Sequence, residues 1–202
     1  MKLYIFRHGT TDWNEAKRLQ GNSNTSLNEK GRELARVTAG AIKDIHFDYV
    51  FSSPLDRAYE TACIFCEGRD VEIVKDDRLI EVCFGIDEGV IPEKRTPGCH
   101  LYFDAPEQYV PAEGAESFEH LFARTRDFIY EVLVPLSIKE PDATVMISGH
   151  GAMNKALAAN LCHRDVAHFW DGAWQKNCSL SIYEIDGESF KLLEDGKIFY
   201  EI

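Results

Sequence analysis

Short apolar runs alternate along the chain with longer stretches whose apolar positions recur at helical spacing. Residues 2–6 form the first run and lead straight into Arg7-His8-Gly9-Thr10-Thr11. Tyr49-Val50-Phe51, residues 71–74 and residues 144–147 are further runs of strand length. Residues 179–185 and 190–193 predict two closing strands. Between the runs, Leu34, Val37, Ala41 and Ile42 predict a helix over 29–44. Ser52-Ser53-Pro54 reads as a helix start, with Ser53 as N-cap and Pro54 in the first helical position. Further helices are predicted over 117–137 and 152–162. Residues 21–30 are rich in Asn, Ser and Thr and read as a loop. Residues 85–117 hold Pro92, Pro97, Pro106 and Pro111 with no clear period, which predicts a lid-like excursion over the core.

Strands alternating with helices predict one domain over 1–202, an α/β class three-layer sandwich with a mainly parallel central sheet. Ligands of such sheets bind beyond the carboxyl ends of the strands. Arg7-His8-Gly9, Ser52-Ser53-Pro54 and Gly149-His150-Gly151 all follow predicted strands, so their loops should meet at one sheet edge.

Composition narrows the function classes. The 202 residues are 45% hydrophobic and 28% charged, with a formal net charge of −12. That charge argues against nucleic-acid and anionic-membrane binding, which need basic patches. No apolar run approaches the roughly 20 residues of a membrane span. The start of the chain lacks the apolar core of a signal peptide, so a cytoplasmic location is expected. Oligomeric state leaves no mark in the sequence. Of six cysteines, only Cys63 and Cys66 have C-x-x-C spacing. They read as small apolar residues on one helical face, and a zinc site would need a second ligand pair.

An anionic substrate of so acidic a protein needs a local positive cluster. His8 and His150 each lie beside glycine at a strand end. With Arg7 and Arg57 they would form a cationic pocket suited to a phosphoryl group, whose transfer is catalysed mainly by positioning and charge. Clustered carboxylates for a catalytic metal are not evident there.

These residues carry a resemblance. Arg7-His8-Gly9-Thr10-Thr11-Asp12-Trp13-Asn14 resembles the signature of the histidine phosphatase superfamily, also called phosphoglycerate mutase-like, of its branch 1 type. The resemblance continues through Leu19-Gln20-Gly21, Ser52-Ser53-Pro54-Leu55-Asp56-Arg57-Ala58, Leu79-Ile80-Glu81, Glu88-Gly89, Gly114-Ala115-Glu116-Ser117, His150-Gly151 and Asn177-Cys178-Ser179. It implies His8 as a nucleophile that becomes phosphorylated, neutral at the attacking nitrogen because the other donates to an acceptor such as a backbone carbonyl. It implies Arg7, Arg57 and His150 around the transferring oxygens and Glu81 as general acid and base, its pKa raised by the phosphate. Asn14 and Thr10 would be donors to substrate, and Gly21 and Gly151 would permit close approach. No metal or other cofactor is implied, and the partner is a small phosphorylated substrate.

Three positions depart from the family pattern: Thr10 where Glu is frequent, Asp87 where Trp often precedes Glu-Gly, and Ala115 in place of a second glycine. Asp87 is expected to open or polarise the pocket. Glu88 is a rival to Glu81, and Glu116 reads as a residue at the start of a helix. The mutase branch carries a pair of arginines for a carboxylated substrate. Here Lys94-Arg95 is the one basic pair of the excursion, which favours a phosphatase over a phosphotransferase. A non-catalytic phospho-ligand binding module would have lost His8, Arg57, His150 or Glu81, and all are present. Lys94, Arg95, His100, Tyr102, Phe103 and Tyr109 are candidates for the pocket mouth. Sugar phosphates, phosphoglycerates, nucleotide-derived esters and α-ribazole phosphate stay open as substrates.

Overall fold

The computed structural model describes residues 1–201. Four strands run parallel: β1 (Lys2–Arg7), β2 (Tyr49–Ser52), β3 (Ile73–Lys75) and β4 (Thr144–Gly149). Two more, β5 (Leu180–Asp186) and β6 (Ser189–Lys197), are antiparallel, and the order is β3-β2-β4-β1-β5-β6. The sheet is therefore mixed, parallel in its first two thirds.

Side-chain alternation along the strands sorts the chain into layers. Leu3, Ile5, Val145 and Ile147 point to one face. There they pack on α5 (Phe118–Phe128), α6 (Val134–Lys139) and α7 (Gly151–Leu161), through Phe128, Val134, Met153 and Leu157. Phe6, Val50 and Met146 point to the other face. They meet α2 (Glu29–Ala41) and α3 (Asp56–Phe65), through Ala35, Ala62 and Phe65. A shorter helix, α1 (Asp12–Glu15), follows β1.

Several predicted boundaries move. The helix expected over 29–44 ends at Ala41. β3 starts two residues later and ends one later than expected, and β6 runs on to Lys197 because it pairs with β5 to that point. The helix expected over 117–137 is continuous to Lys139 but has a π-helical turn at Ile129–Leu133. Pro135 follows that turn and has no N–H for the Glu131 carbonyl, which accounts for the wider turn. Cys66 is buried in the core while Cys63 is exposed, so the two do not share a face.

The excursion is more structured than its prolines suggested. Thr96 caps α4 (Pro97–Asp104), accepting from Cys99 N at 3.2 Å, with Pro97 in the first turn. Asp87 is buried and accepts from Thr96 N and Thr96 Oγ1, each at 2.7 Å. It anchors the excursion rather than opening the pocket. Tyr102 is fully buried, stacked on Phe118 at 4.5 Å, and forms a third core cluster with Phe84 and Phe169.

Candidate active site

The strand register brings the predicted loops together. Arg7 lies opposite Gly149, and Ser52 lies opposite Ser148. His8 N donates to Gly149 O at 2.9 Å, and Ser53 N donates to Ser148 O at 3.0 Å. His8, Ser53 and His150 thus leave the sheet at one level.

His8 is buried. Its Nδ1 lies 2.6 Å from Gly9 O, so Nδ1 carries the proton and Nε2 carries a lone pair. Arg57 Nε donates to that lone pair at 3.3 Å. Burial, then Arg57 and Arg7, hold the His8 pKa well below the ordinary histidine value. The backbone is fixed from three sides. Gly9 N donates to Thr61 Oγ1 at 3.0 Å, and Asn177 Nδ2 donates to His8 O at 3.0 Å and Gly9 O at 3.1 Å. A Cβ on Gly9 would stand 2.6 Å from Gly31 O, so a side chain there would push the loop off α2.

Arg57, in the first turn of α3, is fully buried without a carboxylate bond. Its Nη1 donates to Ser23 O and its Nη2 to Gly21 O, both at 2.7 Å. Burial lowers its pKa to about 10, with Arg7 adding to and Glu81 opposing the shift. Gly21 and Ser23 are in turn held by Glu88. That carboxylate accepts from Asn22 N at 3.1 Å, Ser23 N at 3.0 Å and Phe84 N at 3.0 Å, and from the Ser23 hydroxyl. Glu88 therefore braces the loop that holds Arg57. Gly21 has φ +55 and lies against Glu88, with no room for a side chain.

His150 Nε2 lies 2.7 Å from Ser53 Oγ, and its ring centroid lies 5.2 Å from that of His8. Its pKa is also well below the usual value, through burial and then Arg57, His8 and Arg7. Arg7 Nη1 donates to Gln175 O at 2.5 Å. Arg7 Nε and His150 Nδ1 are buried without a partner, the condition of groups awaiting a ligand. Glu81 sits at the start of α7, accepting from Ala152 N at 3.1 Å and Met153 N at 2.8 Å, as a carboxylate at a helix N-terminus does. A Cβ on Gly151 would lie 3.8 Å from Glu81 Oε2 and 3.9 Å from Arg7 Nε, so this glycine faces the gap between them. Asn14 Oδ1 accepts from Thr11 N and Asn177 Nδ2, both at 3.2 Å, which leaves its amide nitrogen for a ligand. His8, Arg7, Arg57, Glu81, Asn14, Gly21 and Gly151 all border one cavity of about 620 Å³.

A family model of the histidine phosphatase superfamily (branch 1) matches residues 3–196. The chain belongs to that superfamily. It is similar to phosphoserine phosphatase 1 of Hydrogenobacter thermophilus, 29% identical over 92% of this chain and 87% of the relative. It is 31% identical to glucosyl-3-phosphoglycerate phosphatase of Mycobacterium tuberculosis, over 83% of this chain and 78% of the relative. Among solved structures, Bacillus stearothermophilus YhfR superposes with a TM-score of 0.87 at 29% identity, over 98% of this chain and 97% of that one. These relatives are phosphatases or of their fold, and this histidine phosphatase is an enzyme of the same class. Among the described residues, no helix is long and apolar enough to cross a membrane, and no group of three or more His, Cys, Asp or Glu side chains is placed to hold a metal ion.

Some expected site residues lie elsewhere. Thr10 does not border the cavity. Its carbonyl accepts from Asn28 N at 3.0 Å and its backbone packs on Gly31, which ties it to α2. Lys94 and His100 are exposed outside the cavity, and Tyr102 and Tyr109 are packed together in the aromatic core. Of the mouth candidates, Arg95 and Phe103 border the cavity. Ser53 is not an N-cap: the cap position is Leu55, and the Ser53 hydroxyl serves His150. Gln175, Lys155, Trp170 and Trp174 border the cavity and were missed. The pair of tryptophans near the end of an otherwise Trp-poor chain was the available signal.

The two depressed imidazoles make folding pH-dependent in this histidine phosphatase. Their folded pKa values lie below the unfolded value of about 6.5. As pH falls below that point the unfolded chain binds protons that the native state refuses, so stability is lost. Each imidazole that stays neutral costs up to about 1.4 kcal/mol per pH unit. The exposed His168, raised by Asp165, opposes this weakly. Urea melts from pH 7.5 to 5 should show the midpoint falling; a flat or rising midpoint would contradict neutral burial of both rings.

Proposed function

We propose that this enzyme hydrolyses small-molecule phosphate monoesters through a phosphoenzyme on His8 Nε2. The observation that carries the reading is the His8 tautomer. With Nδ1 bound to Gly9 O, the only lone pair of the ring is at Nε2, beside Arg57. A neutral imidazole in a cationic pocket is a nucleophile that need not first lose a proton.

In the first half-reaction the Nε2 lone pair forms the N–P bond while the P–O bond to the alcohol breaks. Glu81, in its acid form, gives its proton to the departing oxygen. His8 is then a phosphoimidazolium and Glu81 a carboxylate. In the second half Glu81 takes a proton from water, the water oxygen bonds phosphorus, and the N–P bond breaks with its electron pair returning to Nε2. Phosphate leaves, and both residues regain their starting states. Arg7, Arg57, His150 and Asn14 stabilise the equatorial oxygens in both passages. Relatives named for phosphoserine and glucosyl-3-phosphoglycerate support a small organic phosphate as substrate.

A rapid denaturing quench during turnover of a labelled phosphate ester should trap phosphohistidine at His8; turnover with no trapped label at any time point would count against the intermediate. Glu81→Gln separates the halves. With alkyl phosphates kcat should fall on the order of 10²- to 10³-fold. With p-nitrophenyl phosphate, whose leaving group needs no proton, a burst of nitrophenolate should appear and phosphohistidine accumulate. Equal losses with both esters and no burst would remove Glu81 from the acid role.

A further inference from the structure

The cavity holds more than a phosphate needs. Beyond the phosphoryl groups, its wall is a file of near-parallel aromatic rings. Phe84 stacks on Phe103 at 5.9 Å and 22°, Phe103 on Trp170 at 5.4 Å and 23°, and Trp170 lies 6.0 Å from Trp174 at 30°. The file runs from a buried Phe84 outward to Trp174, which is 64% exposed. Trp170 is locked in place. Its Nε1 donates to Tyr102 O at 2.9 Å, and the buried Lys155 donates to Trp170 O at 3.5 Å and Asp171 O at 2.7 Å. The faces of Phe103 and Trp170 are taken up by their neighbours, so the file offers a ligand its ring edges and, at the outer end, the exposed Trp174 ring backed by the fixed Trp170; groups held in place give their contact energy without first losing rotamer entropy.

The rim above this wall is basic. Lys17, Arg18 and Arg95 border it, and none of them forms a salt bridge among the described residues. Arg95 lies 5.5 Å over the Phe103 ring, at the join between wall and rim. Asp104 is the one carboxylate there, Glu81 lying deeper. Three cations outside any salt bridge thus line one opening of a protein of net charge −12, apart from Arg7 and Arg57.

We infer that the site takes phosphate monoesters whose alcohol carries a flat aromatic or heteroaromatic body and, beyond it, a second anionic group. This rests on the hydrolytic reading above for turnover, but not for binding. A small polyhydroxylated ester would leave the aromatic edges, the exposed Trp174 ring and the rim cations unused. The second anion is a carboxylate or a further phosphate, which the rim would recognise by charge alike.

Phosphonate analogues test binding apart from chemistry, since their P–C bond is not cleaved. In titration calorimetry, naphthylpropylphosphonate should bind about fivefold tighter than its saturated decalinyl counterpart, the aromatic gain beyond area. A carboxylate on the far ring should add about tenfold at low salt, a gain largely screened at about 0.5 M salt. A far-ring phosphate should gain at least as much. Trp174→Ala should shrink the naphthyl-to-decalinyl ratio, and Arg18→Ala with Arg95→Ala should remove most of the far-anion gain. Equal naphthyl and decalinyl affinities, a far anion that weakens binding, or no measurable binding of any of these phosphonates would each overturn the inference. The matching phosphate esters, assayed for phosphate release, report separately on hydrolysis. Phosphonates that rank as expected beside esters that are not cleaved would sink the hydrolytic reading alone.

Discussion

His8→Ala is expected to lower kcat by on the order of 10⁴-fold or more, as loss of a nucleophile does in enzymes whose groups act as a unit. Trapped phosphoenzyme should disappear with it. The residual rate would come from the arginine cluster acting on direct attack by water. The fold should tolerate the change, because the loop is fixed by backbone groups: His8 N to Gly149 O, and His8 O to Asn177 Nδ2. Removing a buried imidazole that resists protonation should also flatten part of the fall in stability below pH 6.5. Single-turnover assays and urea melts of the same preparation separate the two effects. A variant that still labels at wild-type stoichiometry would place the phosphoryl carrier on another residue.

Arg57→Lys should be the next most damaging change, although it keeps the charge. Arg57 uses one planar fork to do three things: it meets His8 Nε2, Ser23 O and Gly21 O. A single ammonium cannot span those acceptors. We expect kcat to fall about 10²- to 10³-fold, the scale of losing one preorganised donor at a developing oxyanion. Leaving one or two buried carbonyls unpaired should cost about 2–4 kcal/mol. A kcat within tenfold of wild type would mean that Arg57 serves the fold and not the reaction. Glu88→Gln offers a control through the same loop, since Glu88 holds Asn22 and Ser23 but touches no reacting group. Its effect on kcat should be much the smaller.

The sheet edge was legible because each of its parts is local. Arg-His-Gly or Gly-His-Gly at a strand end is weak alone, but several such blocks in order carry the chemistry, and the parallel register of β1, β2 and β4 then has few ways to align. What was not legible depends on contacts far apart in the chain. Asp87 stands where the family pattern often has Trp, which points to the pocket, yet its carboxylate turns to Thr96. Tyr102 shares α4 with Phe103, but helical geometry sends one into the aromatic core and the other to the cavity. Ser53 looked like a cap, since capping and side-chain pairing draw on the same residue types. Arg7 takes its main-chain partner from Gln175, 168 residues away, and no spacing in the sequence signals that bond.

The aromatic file is rooted in the third core cluster at Phe84 and opens to solvent at Trp174. Its members come from two short segments, one around 84–103 and one at 170–174, while the phosphoryl-binding groups come from strand ends and α3. Recognition and reaction are thus written on different stretches of chain. For a directed-evolution library this is a usable division: randomising Phe103, Trp174, Lys17, Arg18 and Arg95 samples new leaving groups while the transfer machinery is inherited unchanged.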